Sequence, residues 1–198
     1  GEYAFERLIK ELINSGLDVV SLKESEIKLG NICYVVEDKY IEGHDERIFD
    51  LESIPSPYVM GLMDKFFEYK LMPSIETTRG CPYSCTFCTD GSSLRNGIYR
   101  KNADYIREEL EYIARHVKHS PTLAFCDLNF GMYKEDLQTA RIIRDIRKKY
   151  GWPDQMYGST GKSQPVRMAE FGKIINEGNL DIIKMGSSLQ SVSKEVLK

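Results

Sequence analysis

Thr122-Leu123-Ala124-Phe125-Cys126-Asp127 is a short apolar run that ends on a carboxylate. It is too brief for a helix and is bounded by Pro121 and by polar residues, so it reads as a buried strand. Helical patterns flank it on both sides. Upstream, Ala103, Ile106, Leu110, Ile113 and Val117 fall on one stripe of a helix over 103–117, with Asn102 placed to cap it. Downstream, a helix over about 135–150 opens on Glu135 and Asp136, closes on Arg147, Lys148 and Lys149, and is stopped by Gly151 and Pro153. Acidic residues at the start and basic ones at the end suit the helix dipole, so the basic run is helix-end chemistry rather than a nucleic-acid patch.

The same alternation extends outward. Residues 74–79, 155–160 and 181–186 read as further strands, and a third helix starts near Pro165 and buries Met168, Phe171, Ile174 and Ile175. Strands that alternate with helices pair in parallel through right-handed crossovers, so the fold class is α/β, a partial (β/α) barrel of parallel strands. Residues 191–198 look like a helix just begun; a sheet cut there exposes an unfinished edge, which leads to the expectation that the natural chain continues past Lys198.

The N-terminal piece has a different character. Phe5, Leu8, Ile9, Leu12 and Ile13 recur at helical spacing before Gly16, giving a helix over 2–15. Residues 31–36 and 39–42 read as a hairpin turning at Glu37-Asp38, and the prolines of Ile54-Pro55-Ser56-Pro57-Tyr58 mark a linker. Residues 1–58 are therefore read as a small α+β appendage and 59–198 as the first part of the barrel.

The chain has 198 residues, a net charge of -3 and 41% hydrophobic content, ordinary values for a globular chain and not for a disordered one. No apolar run approaches a membrane span and the start lacks a signal-peptide core, so the expectation is a cytoplasmic protein without membrane or nucleic-acid partners. Five cysteines, an odd number, argue against a disulfide framework. Cys33 and Cys126 stand alone in apolar runs and are read as small buried hydrophobes. Cys81, Cys85 and Cys88 sit together directly after the first strand of the α/β run, on the edge where such sheets gather their ligands. Three clustered thiols suit three irons of a four-iron four-sulfur (4Fe-4S) cluster, with the fourth iron left open. They also suit a structural zinc completed by a remote ligand such as His44 or Cys126, although no second cysteine pair is present. His116 and His119 read as helix-end or exposed residues, and Gly161-Lys162-Ser163 lacks the upstream glycine of a phosphate-binding loop.

The stretch Ile75-Glu76-Thr77-Thr78-Arg79-Gly80-Cys81-Pro82-Tyr83-Ser84-Cys85-Thr86-Phe87-Cys88 resembles the signature of the radical S-adenosylmethionine (SAM) superfamily, and within it the branch that carries a cobalamin-binding domain. Gly1-Glu2 opening an amphipathic helix is similar to the end of that domain, and residues 54–58 to the linker that follows it. The resemblance implies that Cys81, Cys85 and Cys88 ligate a 4Fe-4S cluster whose open iron chelates SAM, and that reductive cleavage yields a 5′-deoxyadenosyl radical. It places Phe87 by the adenine and Asp127 and Asn129 at the SAM amino group, where the family often has glycine-glycine-glutamate. Ser159, Thr160, Lys162, Ser188 and Gln190 become candidates for ribose and carboxylate contacts. A small-molecule substrate and an electron donor such as flavodoxin or ferredoxin are implied as partners, with cobalamin a possible further cofactor. The cobalt-ligating histidine loop and the strands that complete the substrate pocket have no counterpart in these residues. A cobalamin-independent member such as a methylthiotransferase, and a zinc or iron-sulfur binding module, stand as rival readings.

Overall fold

The computed structural model describes residues 1–92, 96–161, 164–176, 183–186 and 191–195. It divides into two compact units, Gly1–Phe49 and Asp50–Lys198.

In the first unit, α1 (Glu2–Asn14) is followed by α2 (Val19–Glu24) and by the antiparallel hairpin of β1 (Cys33–Val36) and β2 (Lys39–Glu42). Gly16 at φ 69 ends α1 as its position in the sequence requires. The short α2 has no apolar period to announce it and depends on its cap: the Asp18 carboxylate accepts from the N–H groups of Val20 and Ser21. Gly43 lies so close to Leu29 that a Cβ would stand 1.7 Å from the Leu29 carbonyl oxygen, so only glycine closes the hairpin against that turn. Phe5, Ile9 and Ile13 of α1 are exposed. Cys33 is also exposed, contrary to its reading as a buried hydrophobe, because it opens the outward-facing set of β1.

The second unit carries the α/β layer. β3 (Ser74–Ile75), β6 (Thr122–Phe125), β7 (Gln155–Ser159) and β8 (Ile183–Gly186) form one open sheet in that order, every pair parallel. The crossovers run through α3 (Ala103–His116), α4 (Asp136–Tyr150) and α5 (Pro165–Asn176). Leu110 and Ile113 of α3, Ile142, Ile143 and Ile146 of α4, and Phe171 and Ile175 of α5 join Leu123, Phe125 and Met156 in one core, with α4 packed between the other two helices. Each such side chain is worth about 2 kcal/mol when fully buried, well above the differences in helix propensity between them. Along β7 only Met156 and Gly158 turn into this core, while Tyr157 is exposed on the other face. Helices therefore cover one face of the sheet.

The residues read as a linker belong to this unit. The Tyr58 hydroxyl donates to the Ser74 carbonyl at 3.0 Å, and the Ser56 hydroxyl donates to the buried Glu109 carboxylate at 2.7 Å.

One strand departs from the sequence reading. Residues 74–79 are not continuous: β3 stops at Ile75, and Thr78–Arg79 (β4) pairs antiparallel with Tyr99–Arg100 (β5) in a separate two-stranded ribbon. The chain leaves the parallel sheet at Glu76-Thr77, and the loop with the three cysteines springs from the ribbon.

Candidate functional site

The parallel pairing puts the C-terminal ends of β3, β6 and β7 on one edge of the sheet. The turn after β3 is held by a carboxylate from the next strand: Thr77 donates its backbone N–H to Asp127 Oδ1 at 2.8 Å and its hydroxyl to Asp127 Oδ2 at 2.5 Å. Leaving the sheet deprives Thr77 of a ladder partner, and a buried amide without one is costly, so Asp127 supplies the missing acceptor. Asp127 is only 3% exposed, and burial pushes its pKa from 3.8 up to about 7 against the opposing pull of the Thr77 bonds. Its place after the strand led to the expectation that it meets the SAM amino group. The contacts the structure shows for it are those to Thr77, one on each oxygen.

Beyond this anchor, Arg79 grips Glu76 through two nitrogens, Nε at 3.0 Å and Nη2 at 2.7 Å, and Gly80 takes φ 102 to start the cysteine loop. Behind the ribbon, Arg100 lies 3.9 Å over the Tyr133 ring and 3.5 Å from the buried Asp136, which itself accepts from the Tyr133 N–H at 2.9 Å. Burial raises the pKa of Asp136, and the Arg100 guanidinium works in the opposite direction.

The loop is compact. Cys88 donates its N–H to the Cys85 carbonyl at 3.0 Å, and Gly91 donates to the Cys88 carbonyl at 3.1 Å. A Cβ on Gly91 would stand 2.4 Å from the Cys85 carbonyl oxygen and 2.9 Å from its nitrogen, both backbone atoms that can move only with the loop. Gly91→Ala is therefore expected to open residues 81–92 while leaving the core intact. Limited proteolysis should nick that segment faster than in the wild type, with the melting temperature held within about 3 °C.

Cys81 is half-buried and Cys85 and Cys88 are exposed, all three as free thiols. Two contacts tie their loop to the segment after β6: the Tyr83 hydroxyl reaches Met132 Sδ at 3.3 Å, and Asn129 Nδ2 reaches Cys81 Sγ at 3.3 Å. Asn129 thus faces a sulfur, a contact its sequence position did not announce. Phe87 is 70% exposed beside the thiols. Ser159 and Thr160 lie at the end of β7, joined to the β6 side by the Phe130 N–H donated to the Ser159 carbonyl at 3.0 Å and by the Phe130–Thr160 bridge. Asn129, Ser159 and Thr160 thus stand at strand ends on this edge, with Cys81 brought to Asn129, while Cys85, Phe87 and Cys88 lie on the exposed part of the loop. Lys162, Ser188 and Gln190 lie outside the described residues.

Cys126 is exposed rather than buried, because β6 ends at Phe125 and the next residue has already left the core. His44 pairs with Glu46 at 2.5 Å within the first unit. His116 closes α3 as a helix-end residue, its Nδ1 2.7 Å from the Tyr112 carbonyl oxygen and its ring stacked 4.1 Å from that of Tyr112. Among the described residues no group of three His, Cys, Asp or Glu side chains is arranged to hold a single metal ion. No helix among them is long and apolar enough to cross a membrane.

Three free thiols on one compact loop, at an open sheet edge and with an N–H aimed at one sulfur, are the groups a 4Fe-4S cluster takes.

No family model matches the chain. Over its whole length it is 30% identical to 2-(S-pantetheinyl)-carbapenam-3-carboxylate methyltransferase of Streptantibioticus cattleyicolor and 28% identical to the cobalamin-dependent radical SAM methyltransferase TokK of Streptomyces tokunonensis. The chain spans 29% of the length of each of these relatives. Among solved structures, it matches the cobalamin-dependent SAM radical enzyme OxsB with aqua-cobalamin bound at a TM-score of 0.67 and 22% identity, over 100% of this chain and 28% of that one. It also matches the radical SAM methyltransferase TsrM of Kitasatospora setae, which holds cobalamin and a 4Fe-4S cluster, at a TM-score of 0.58 and 13% identity, over 94% of this chain and 36% of that one. At these identities the two structures establish the likeness of fold.

Proposed function

We infer that this chain is the part of a cobalamin-dependent radical SAM methyltransferase that holds the 4Fe-4S cluster and presents it to SAM. The observation that carries this reading is the placement of Cys81, Cys85 and Cys88 on one loop at the C-terminal edge of the parallel sheet, in a chain homologous over its full length to such methyltransferases. On this reading the four-stranded sheet is the first part of a partial barrel, and its helix-free face, with Tyr157, lines the interior.

When bound, the cluster supplies the electron that cleaves SAM reductively to the adenosyl radical. The residues of this chain do the holding and aiming. Cys81, Cys85 and Cys88 are the protein ligands. Asp127 on Thr77 and Arg79 on Glu76 fix the point from which the loop departs, and Gly91 lets it fold back on Cys85. Phe87 offers an exposed ring for the adenine, and Ser159 and Thr160 stand at the neighbouring strand end for ribose or carboxylate contacts. The partners this requires are a small-molecule methyl acceptor, a low-potential donor such as flavodoxin or ferredoxin, and cobalamin.

Electron paramagnetic resonance of the anaerobically reconstituted, dithionite-reduced protein, recorded with and without SAM, tests the reading. A reduced-cluster signal whose shape changes on addition of SAM is expected. Stoichiometric zinc with no iron or sulfide would replace it with a structural metal site.

A further inference from the structure

Asn129 is gripped from both sides. Two residues earlier, Asp127 is locked onto Thr77. On the other side, the Asn129 carbonyl accepts from the Met132 N–H at 3.1 Å, closing a turn in which Gly131 takes φ 83. A Cβ at Gly131 would stand 2.3 Å from Met168 Sδ, so the turn lies directly against a side chain of α5. The half-buried Asn129 carboxamide is carried on a backbone held by these bonds, and its Nδ2 lies 3.3 Å from Cys81 Sγ. A thiol could donate to the oxygen of that carboxamide or accept from its nitrogen. A metal-ligating thiolate can only accept, so the nitrogen is the end that suits a ligand.

We propose that Asn129 is a positioning residue for the cluster: it donates an N–H to the Cys81 sulfur and by doing so raises the reduction potential. The proposal rests on the reading that Cys81, Cys85 and Cys88 hold the cluster. The physical basis is charge. Reduction adds one electron to the cluster and its ligand sulfurs, and an N–H dipole pointing at one of those sulfurs stabilises the reduced form more than the oxidised form. Partial burial strengthens the effect, since the bond is shielded from the solvent that would otherwise screen it. Cys81 is the least exposed of the three thiols, the one at which such a donor has most leverage.

The test is a redox titration followed by electron paramagnetic resonance, on anaerobically reconstituted wild type, Asn129→Ala and Asn129→Asp, with iron and sulfide measured in each. Asn129→Asp keeps the shape but exchanges the donor for a carboxylate, so it carries the test should the alanine variant fold poorly. The midpoint is expected to fall in both variants, and furthest in Asn129→Asp. Unchanged or raised midpoints in variants that hold a full cluster would overturn the role of Asn129 and leave the cluster reading standing. Loss of the cluster in both variants would assign Asn129 a purely structural part instead. A wild-type chain that takes up no iron would overturn the cluster reading and this inference with it.

Discussion

Replacing any one of Cys81, Cys85 and Cys88 by alanine is expected to cut bound iron and sulfide, after anaerobic reconstitution, to about a tenth of the wild-type level or less. The size of the effect follows from comparison with milder changes: removing a group that merely orients a metal ligand costs on the order of 10–100-fold in affinity, and here the ligand itself is lost. Cys33→Ala and Cys126→Ala serve as controls and should retain full iron, since Cys33 lies in the other compact unit and Cys126 is no part of the loop. Stability should not explain the loss. The three thiols are exposed or half-exposed, and substitutions at such positions usually change folding by about 0.5 kcal/mol or less. Iron and sulfide that survive a single substitution in this set would remove that cysteine from the ligands.

Asp127→Ala is expected to be the most destabilising change near the site, at about 3 kcal/mol, because it strands the buried N–H and hydroxyl of Thr77 without acceptors. For a chain of this length that is a fall of about 6–12 °C in melting temperature. Asp127→Asn keeps an acceptor for the N–H and should cost less. The carboxylate also leaves a signature in pH. Its pKa rises from 3.8 in the unfolded chain to about 7 in the folded one, so between those values the folded state holds a proton that the unfolded state has released. Stability therefore falls as pH rises from about 4 to about 7 and is level above that. Urea unfolding at pH 5 and pH 8 should show the wild type losing roughly 2–3 kcal/mol relative to Asp127→Asn. A difference between the two proteins that is the same at both pH values would show that burial does not govern this group.

The crossovers were legible in the sequence because their signals are local. Asn102 caps α3 by accepting from the Tyr105 N–H, and Gly151 at φ 71 ends α4, both where the pattern puts them. The thiol loop was legible for the same reason: its three cysteines lie within one short stretch. What escaped was non-local. The break between β3 and β4 depends on a carboxylate far along the chain, and nothing in residues 74–79 announces it. Asp127 was visible as a polar residue after a strand, but its bonds to Thr77 were not, because they depend on where β3 stops. Cys33 and Cys126 were misread because apolar neighbours mark a strand without marking which face, or which end, a residue occupies.

The bond from Asp127 to Thr77 spans 50 residues. At a synthesis rate of about 5–20 residues per second, roughly 3–10 s separate the emergence of Thr77 from that of its anchor. During that interval the three neighbouring thiols have left the ribosome on an untethered loop, free to pair with one another or to be oxidised. The order in which the chain is made thus leaves three reactive thiols without their anchor until the strand that carries Asp127 has been made.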